Sequence, residues 1–237
     1  MQLIQDIPVL YSTNYDLLYR KLQGIDFQKV FYEVDLINGN INNFDVITWN
    51  KDTDIWTEYD KANFYNQATW LSRDEITLPN IKMLGFSNVL YHKATYIGEQ
   101  INSAITHVGQ FLNRPNKEFK AVYEIPSLKR TLNTLEYPNK EEILHTVRDS
   151  LERPKIQVSI TIPRGNYDIQ DLGIECAYPG YPIEAILCIL KKNNLITLEN
   201  FNNLFNFEDA KEFMVSHFKL VYHKGNLQTC KLYLFIK

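Results

Sequence analysis

Apolar and polar residues alternate with a period of two along several stretches of this chain, and the clearest is at 27–37. It is rich in β-branched and aromatic residues, and 41–49 repeats the pattern. Asn38-Gly39-Asn40 stands between them. Asn and Gly tolerate the positive φ of tight hairpin turns, so the pattern predicts strand, turn, strand. A second pair, 218–222 and 227–236, flanks Gly225-Asn226 and reads the same way. Shorter extended runs fall at 2–11 (interrupted by Pro8, which suits an edge strand), 81–91, 119–125, 155–162 and 173–178.

Helical spacing marks other segments. Ile97, Ile101, Ile105, Val108 and Leu112 recur at three and four residues, which predicts a helix over 97–112. Helices are also predicted at 14–23, at 60–71 and at 140–151, the last with Asn139 as cap and Glu141-Glu142 in its first turn. The elements together predict an α+β protein, a mostly antiparallel sheet with packed helices. Tyr178-Pro179-Gly180-Tyr181-Pro182 marks the expected break between a mixed domain, 1–178, and a smaller module, 179–237.

That module reads helix, helix, helix, hairpin. Ile183, Ile186, Leu187 and Leu190 form one apolar face behind Pro182, and Thr197 caps a second helix. Asn206 opens a third helix, in which Phe207, Ala210, Phe213 and Met214 share a face. In element order and spacing, over about 55 residues, the module resembles the winged-helix family. The resemblance implies a protein- or DNA-binding role, with the third helix presented to the major groove. Glu208, Asp209 and Glu212 make that helix net acidic. Affinity for phosphates comes from Lys and Arg, so nucleic acid would meet the hairpin instead, through Lys219, Lys224 and Lys231.

Composition narrows the function classes. The formal net charge is -3, which gives no long-range pull toward nucleic acid or an anionic membrane. Cys176, Cys188 and Cys230 form no disulfide or zinc pattern, and no apolar run suggests a membrane helix. A cytoplasmic protein is expected, with no membrane partner. None of His92, His107, His145, His217 and His223 falls in a zinc-binding spacing, and no glycine-rich phosphate loop is present. No metal or cofactor is therefore expected.

Three candidate chemistries remain. Cys176 follows a strand and precedes a turn and helix, which is where nucleophiles are displayed. Tyr91-His92 resembles the strand-end Tyr/His pairs of ADP-ribosyl-transfer folds. Asp52-Thr53-Asp54 matches the DxD pattern that binds metal–nucleotide in many glycosyltransferases, and also reads as a solvated turn. With no motif for phosphate, metal or nucleophile standing clear, the sequence favours a non-enzymatic interaction or assembly protein. Its aromatic-rich surface would hold a protein partner or a second copy. Nucleic-acid binding by the winged-helix-like module is the first alternative. A small transferase or hydrolase with a Cys or Tyr/His site is the other.

Overall fold

Two positive-φ residues in a row, Asn38 at 49° and Gly39 at 74°, close the first hairpin, and Lys224 at 49° and Gly225 at 80° close the last. Both are two-residue turns whose twist matches that of the flanking strands. The second lies one residue earlier than the sequence suggests: His223 pairs with Asn226, so Asn226 already belongs to the strand.

The computed structural model describes residues 29–50, 55–60, 66–111, 118–150, 155–165, 168–205 and 213–236. The strand expected at 2–11, the helix at 14–23 and Asp52-Thr53-Asp54 lie outside these residues. Within them run β1 (Lys29–Ile37), β2 (Asn40–Asn50), β3 (Ile55–Asp60), β4 (Asn66–Ser72), β5 (Ala104–Phe111), β6 (Phe119–Glu124), β7 (Lys155–Thr161), β8 (Asp171–Pro182), β9 (Phe213–His223) and β10 (Asn226–Ile236). Each pairs antiparallel with its neighbours in sequence, and β10 pairs with β1 to close a barrel. Helix pairs join alternate strands: α1 (Leu78–Met83) and α2 (Asn88–Gln100) before β5, α3 (Leu128–Thr134) and α4 (Lys140–Ser150) before β7, α5 (Ile183–Lys192) and α6 (Leu198–Phe205) before β9. Because strand direction alternates, these connections gather at one end of the barrel and the tight hairpins at the other. None of these helices is long and apolar enough to cross a membrane.

The core lies outside the barrel, between sheet and helices. Val34 and Leu36, Val158 and Ile160, Leu172 and Ile174, Phe218 and Leu220, and Leu232 and Leu234 are all buried on alternate strand positions. They share one cluster with Ala94 and Ile97 of α2, Leu132 of α3, Ile143 of α4 and Ile186, Leu187 and Leu190 of α5. Burial of each large aliphatic side chain contributes roughly 1.5–3 kcal/mol. Tyr123 on β6 also faces outward, and its hydroxyl donates to the Ala94 carbonyl of α2 at 2.8 Å.

Several expected elements change type. The helix expected at 97–112 ends at Gln100, Asn102 takes φ 53°, and β5 begins at Ala104. A four-residue spacing fits one helical turn and also two strand pleats, so Ile97, Ile101 and Ile105 satisfy both periods. The run expected to be extended at 81–91 is instead α1 and the start of α2, capped by the Thr77 and Ser87 hydroxyls. The helix expected at 60–71 meets β3 and β4. Of the winged-helix reading, α5 and α6 stand, but Phe213 and Met214 belong to β9, and 206–212 lie outside the described residues. The final hairpin is no wing: β9 and β10 are barrel strands bonded on both sides, to β8 and to β1. The expected break at 178–179 falls inside β8, where the register with β9 shifts between Ala177 and Tyr181.

Candidate active site in the barrel lumen

With apolar positions turned out toward the helices, the alternate positions of the same strands turn inward. Two cross-strand rows result. Asp35 on β1 faces Lys231 on β10, Lys231 faces Lys219 on β9, and Lys219 faces Glu175 on β8. One step along, Glu33 faces Tyr233, Tyr233 faces His217, and His217 faces Ala177. Like charges directly opposite repel, so the Lys219–Lys231 pair persists because carboxylates flank it on both sides. Lys219 Nζ lies 3.0 Å from Glu175 Oε1, and Lys231 Nζ bonds Glu33 and lies 3.0 Å from Asp35 Oδ1.

Two chambers of the lumen are lined by described residues. One, about 350 Å³, lies toward the helix-connected end and is lined by Phe31, Ile47, His107, Val122 and Ala177 among others. The other, about 260 Å³, lies toward the hairpin end and carries Lys120, Ser159, Thr161, Asp171 and Thr229. Glu33, Trp70, Lys219 and Tyr233 line both and form the waist between them. Trp70 meets Phe111 edge-on at 5.8 Å, and Lys120 Nζ sits 4.7 Å over the Phe111 ring. His217 stacks on Tyr233 at 4.0 Å. Gly173 keeps the Lys219 stem flat against β8, since a Cβ there would collide with Lys219 Cε and Ser159 Oγ.

Electrostatics fix the charge states. Burial alone would push the Glu33 carboxyl up. Lys231 beside it, with hydrogen bonds from Lys231 and Tyr233, outweighs burial and holds it down at about 2. Glu175 is likewise held below its ordinary range, with Lys219 and His217 overcoming burial. Both are therefore ionised at neutral pH. Burial drives His217 the other way, down to about 4, against the pull of Glu175, so its imidazole is neutral. Its Nδ1 lies 3.1 Å from Ser216 Oγ. The lumen thus holds fixed anions, two adjacent ammonium groups and a neutral base against aromatic walls.

The candidates read from sequence scatter. Cys176 is buried on the outward face of β8, and burial, with Cys230 and Glu175 nearby, raises its thiol well above the ordinary value. Tyr91 and His92 lie on α2, outside the barrel, with rings 5.8 Å apart at a tilt, rather than at a strand end. Tyr91 borders an open groove on the outer surface. Lys224 sits in the β9–β10 turn. Lys219 and Lys231, expected to meet phosphates on an outer face, point into the lumen and bond carboxylates there. Glu33, Asp35, Glu175, Trp70 and Tyr233 were not singled out in the sequence, and His217 was read only as a histidine outside any zinc-binding spacing. The available signal was the charge placed at every second position of otherwise apolar strands, as in Glu33-Val34-Asp35-Leu36 and Phe218-Lys219-Leu220.

No family model and no curated protein matches the chain. Solved structures do. The apo form of the prenyltransferase PriB matches with TM-score 0.58 at 7% identity, over 88% of this chain and 80% of that one. For 5-dimethylallyltryptophan synthase from Streptomyces coelicolor the values are 0.60, 8%, 87% and 80%. AnaPT from Neosartorya fischeri gives 0.55, 7%, 86% and 77%. The chain has the ABBA fold of prenyltransferases. This likeness overturns the reading of a non-enzymatic interaction or assembly protein. The physical reason is visible in the barrel, where Trp70, Phe111 and Tyr233 line an interior cavity instead of an outer contact surface.

Proposed function

We propose that the protein is a prenyltransferase-like enzyme that joins an allylic group to an aromatic acceptor inside the barrel lumen. The observation that carries this reading is the cross-strand pair Lys219 and Lys231, flanked by ionised carboxylates, with Lys219 at the waist between an aromatic and a polar chamber and Lys231 beside it in the polar one. Adjacent ammonium groups suit a diphosphate leaving group. The allylic C–O bond breaks with its electron pair leaving on the diphosphate. The allylic carbon, then cationic, faces the π surfaces of Trp70 and Tyr233, which attract cations. Glu33 and Glu175 add fixed negative charge at the same level. A ring carbon of the acceptor forms the new C–C bond, and its displaced proton passes to the neutral His217 imidazole. The fold likeness to enzymes named as prenyltransferases and as a dimethylallyltryptophan synthase supports the same reading.

The experiment is incubation of the full chain with dimethylallyl diphosphate and a panel of indoles and phenols, tryptophan included. Diphosphate release and a dimethylallyl adduct by mass spectrometry are expected, both lost in Lys219→Met. Absence of release from any allylic diphosphate, together with no donor binding by calorimetry, overturns the reading.

A further inference from the structure

Trp70 on β4 and Gly109 on β5 are directly opposite each other across the sheet. Among the described residues lining the two chambers Trp70 is the one indole, and it borders both. It lies flat over the β5 backbone: a Cβ built on Gly109 would stand 2.5 Å from Cε3 and 2.6 Å from Cε2 of its ring. Side-chain carbons do not approach so closely, and a fused bicycle has no flexible end to bend aside. Phe111, on the same face of β5 two residues on, meets the indole edge-on with an interplanar angle of 85°. Glycine at 109 is therefore not required by φ, which is unexceptional there, but by the ring that covers it.

We infer that Gly109 and Trp70 form a specificity-determining pair that sets how large a ligand can span the two chambers. With glycine at 109 the indole rests against the wall, and the aromatic chamber opens into the polar one past Glu33 and Lys219. Any side chain at 109 lifts the indole off β5. Phe111 blocks one direction of escape, so the ring swings into the lumen and narrows the waist. The ligand class is an elongated molecule with an apolar or aromatic body and an anionic head: the body fits between Phe31, Val122 and Trp70, the head beside Lys219 and Lys231. This inference rests on the reading of the lumen as a ligand site and adds to it the residue that limits ligand size.

The test uses 8-anilinonaphthalene-1-sulfonate, an aromatic body with an anionic head, titrated by fluorescence into the folded full chain. Gly109→Ala is expected to weaken binding about tenfold in the wild-type background, and by less than about threefold when it is introduced into Trp70→Ala, where no indole is left to displace, whatever Trp70→Ala itself does to affinity. Chains labelled with 5-fluorotryptophan give a second readout that needs no ligand. The Trp70 resonance, assigned by its loss in Trp70→Phe, is expected to shift in Gly109→Ala. Wild-type binding with no weakening in Gly109→Ala, or the same roughly tenfold loss when Gly109→Ala is added to Trp70→Ala, overturns this inference alone. An unmoved Trp70 resonance does the same. A wild-type chain that leaves the probe unbound overturns the lumen reading itself, and with it the size-limiting role.

Discussion

The two faces of the same strands follow opposite rules. On β9, Phe218 and Leu220 point outward and are fully buried against the helical layer, while Lys219 between them points into the lumen and bonds Glu175. On β10, Leu232 and Leu234 point outward, while Lys231 and Tyr233 point inward toward Glu33. The outer face carries the hydrophobic burial that stabilises the fold. The inner face holds desolvated ions whose mutual attraction at best offsets their loss of water. An antiparallel barrel gains little stability from lining its interior this way, so folding accounts for the outer face, while the inner face fits the proposed reaction.

The sharpest way to break this contrast is to truncate both faces. Phe218→Ala removes a fully buried outward ring and is expected to cost about 4 kcal/mol in urea unfolding, leaving the affinity of the surviving folded fraction for an aromatic anion unchanged. Lys231→Met removes the ammonium that bonds both Glu33 and Asp35, an expected loss of about 3 kcal/mol together with loss of that affinity. Adding Glu33→Gln and Asp35→Asn to Lys231→Met is expected to recover most of the stability and none of the binding. If the triple variant binds as the wild type does, the functional reading of the inner face fails.

Acid titration separates the inner groups from one another. Glu33 is held near 2 in the folded chain against an ordinary 4.5. Its contribution is complete above the ordinary value and is lost as pH falls from about 4.5 toward 2. His217 lies near 4 against 6.5, so the unfolded chain takes up its proton first and stability falls with pH through that window as well. Urea midpoints measured against pH are expected to flatten between 6.5 and 4 in His217→Gln. In Glu33→Gln they are expected to flatten between 4.5 and 2. Identical pH profiles in wild type and His217→Gln would show that this imidazole is not held neutral by burial. The smallest effect is on thiol chemistry, where Cys188, exposed on α5, is expected to react at once with a disulfide reagent. Cys176 and Cys230, buried on the outer face, are expected to react only as the barrel opens.

Strands were legible wherever alternation and turn chemistry agreed. The hairpin of β1 and β2 follows from Asn38-Gly39, and its tip is fixed further by the Gly39 carbonyl accepting from Thr197 N at 3.0 Å between α5 and α6. The strand at 155–162 and its partner at 173–178 were also legible, as was the helix behind Asn139. Where two periods coincide, as at Ile97, Ile101 and Ile105, the pattern could not separate helix from strand. The candidate site was read poorly for a related reason. Glu33 and Glu175 belong to strands whose other face is apolar, and such alternation ordinarily means a sheet with one face in water.

The sequence by itself determined the alternating strands, the tight turns and the amphipathic helices, because each is set by residues within a few positions of one another. It also determined which side chains share a face, since the pleat has a period of two. Only the tertiary structure decided which face is inside. Closure of β10 against β1 turns a row of polar residues from solvent into an enclosed lumen. It brings Glu33 and Asp35 beside Lys231, some two hundred positions away in the chain. Pairing across such a separation depends on the register of every strand between, and a local pattern carries no record of that register.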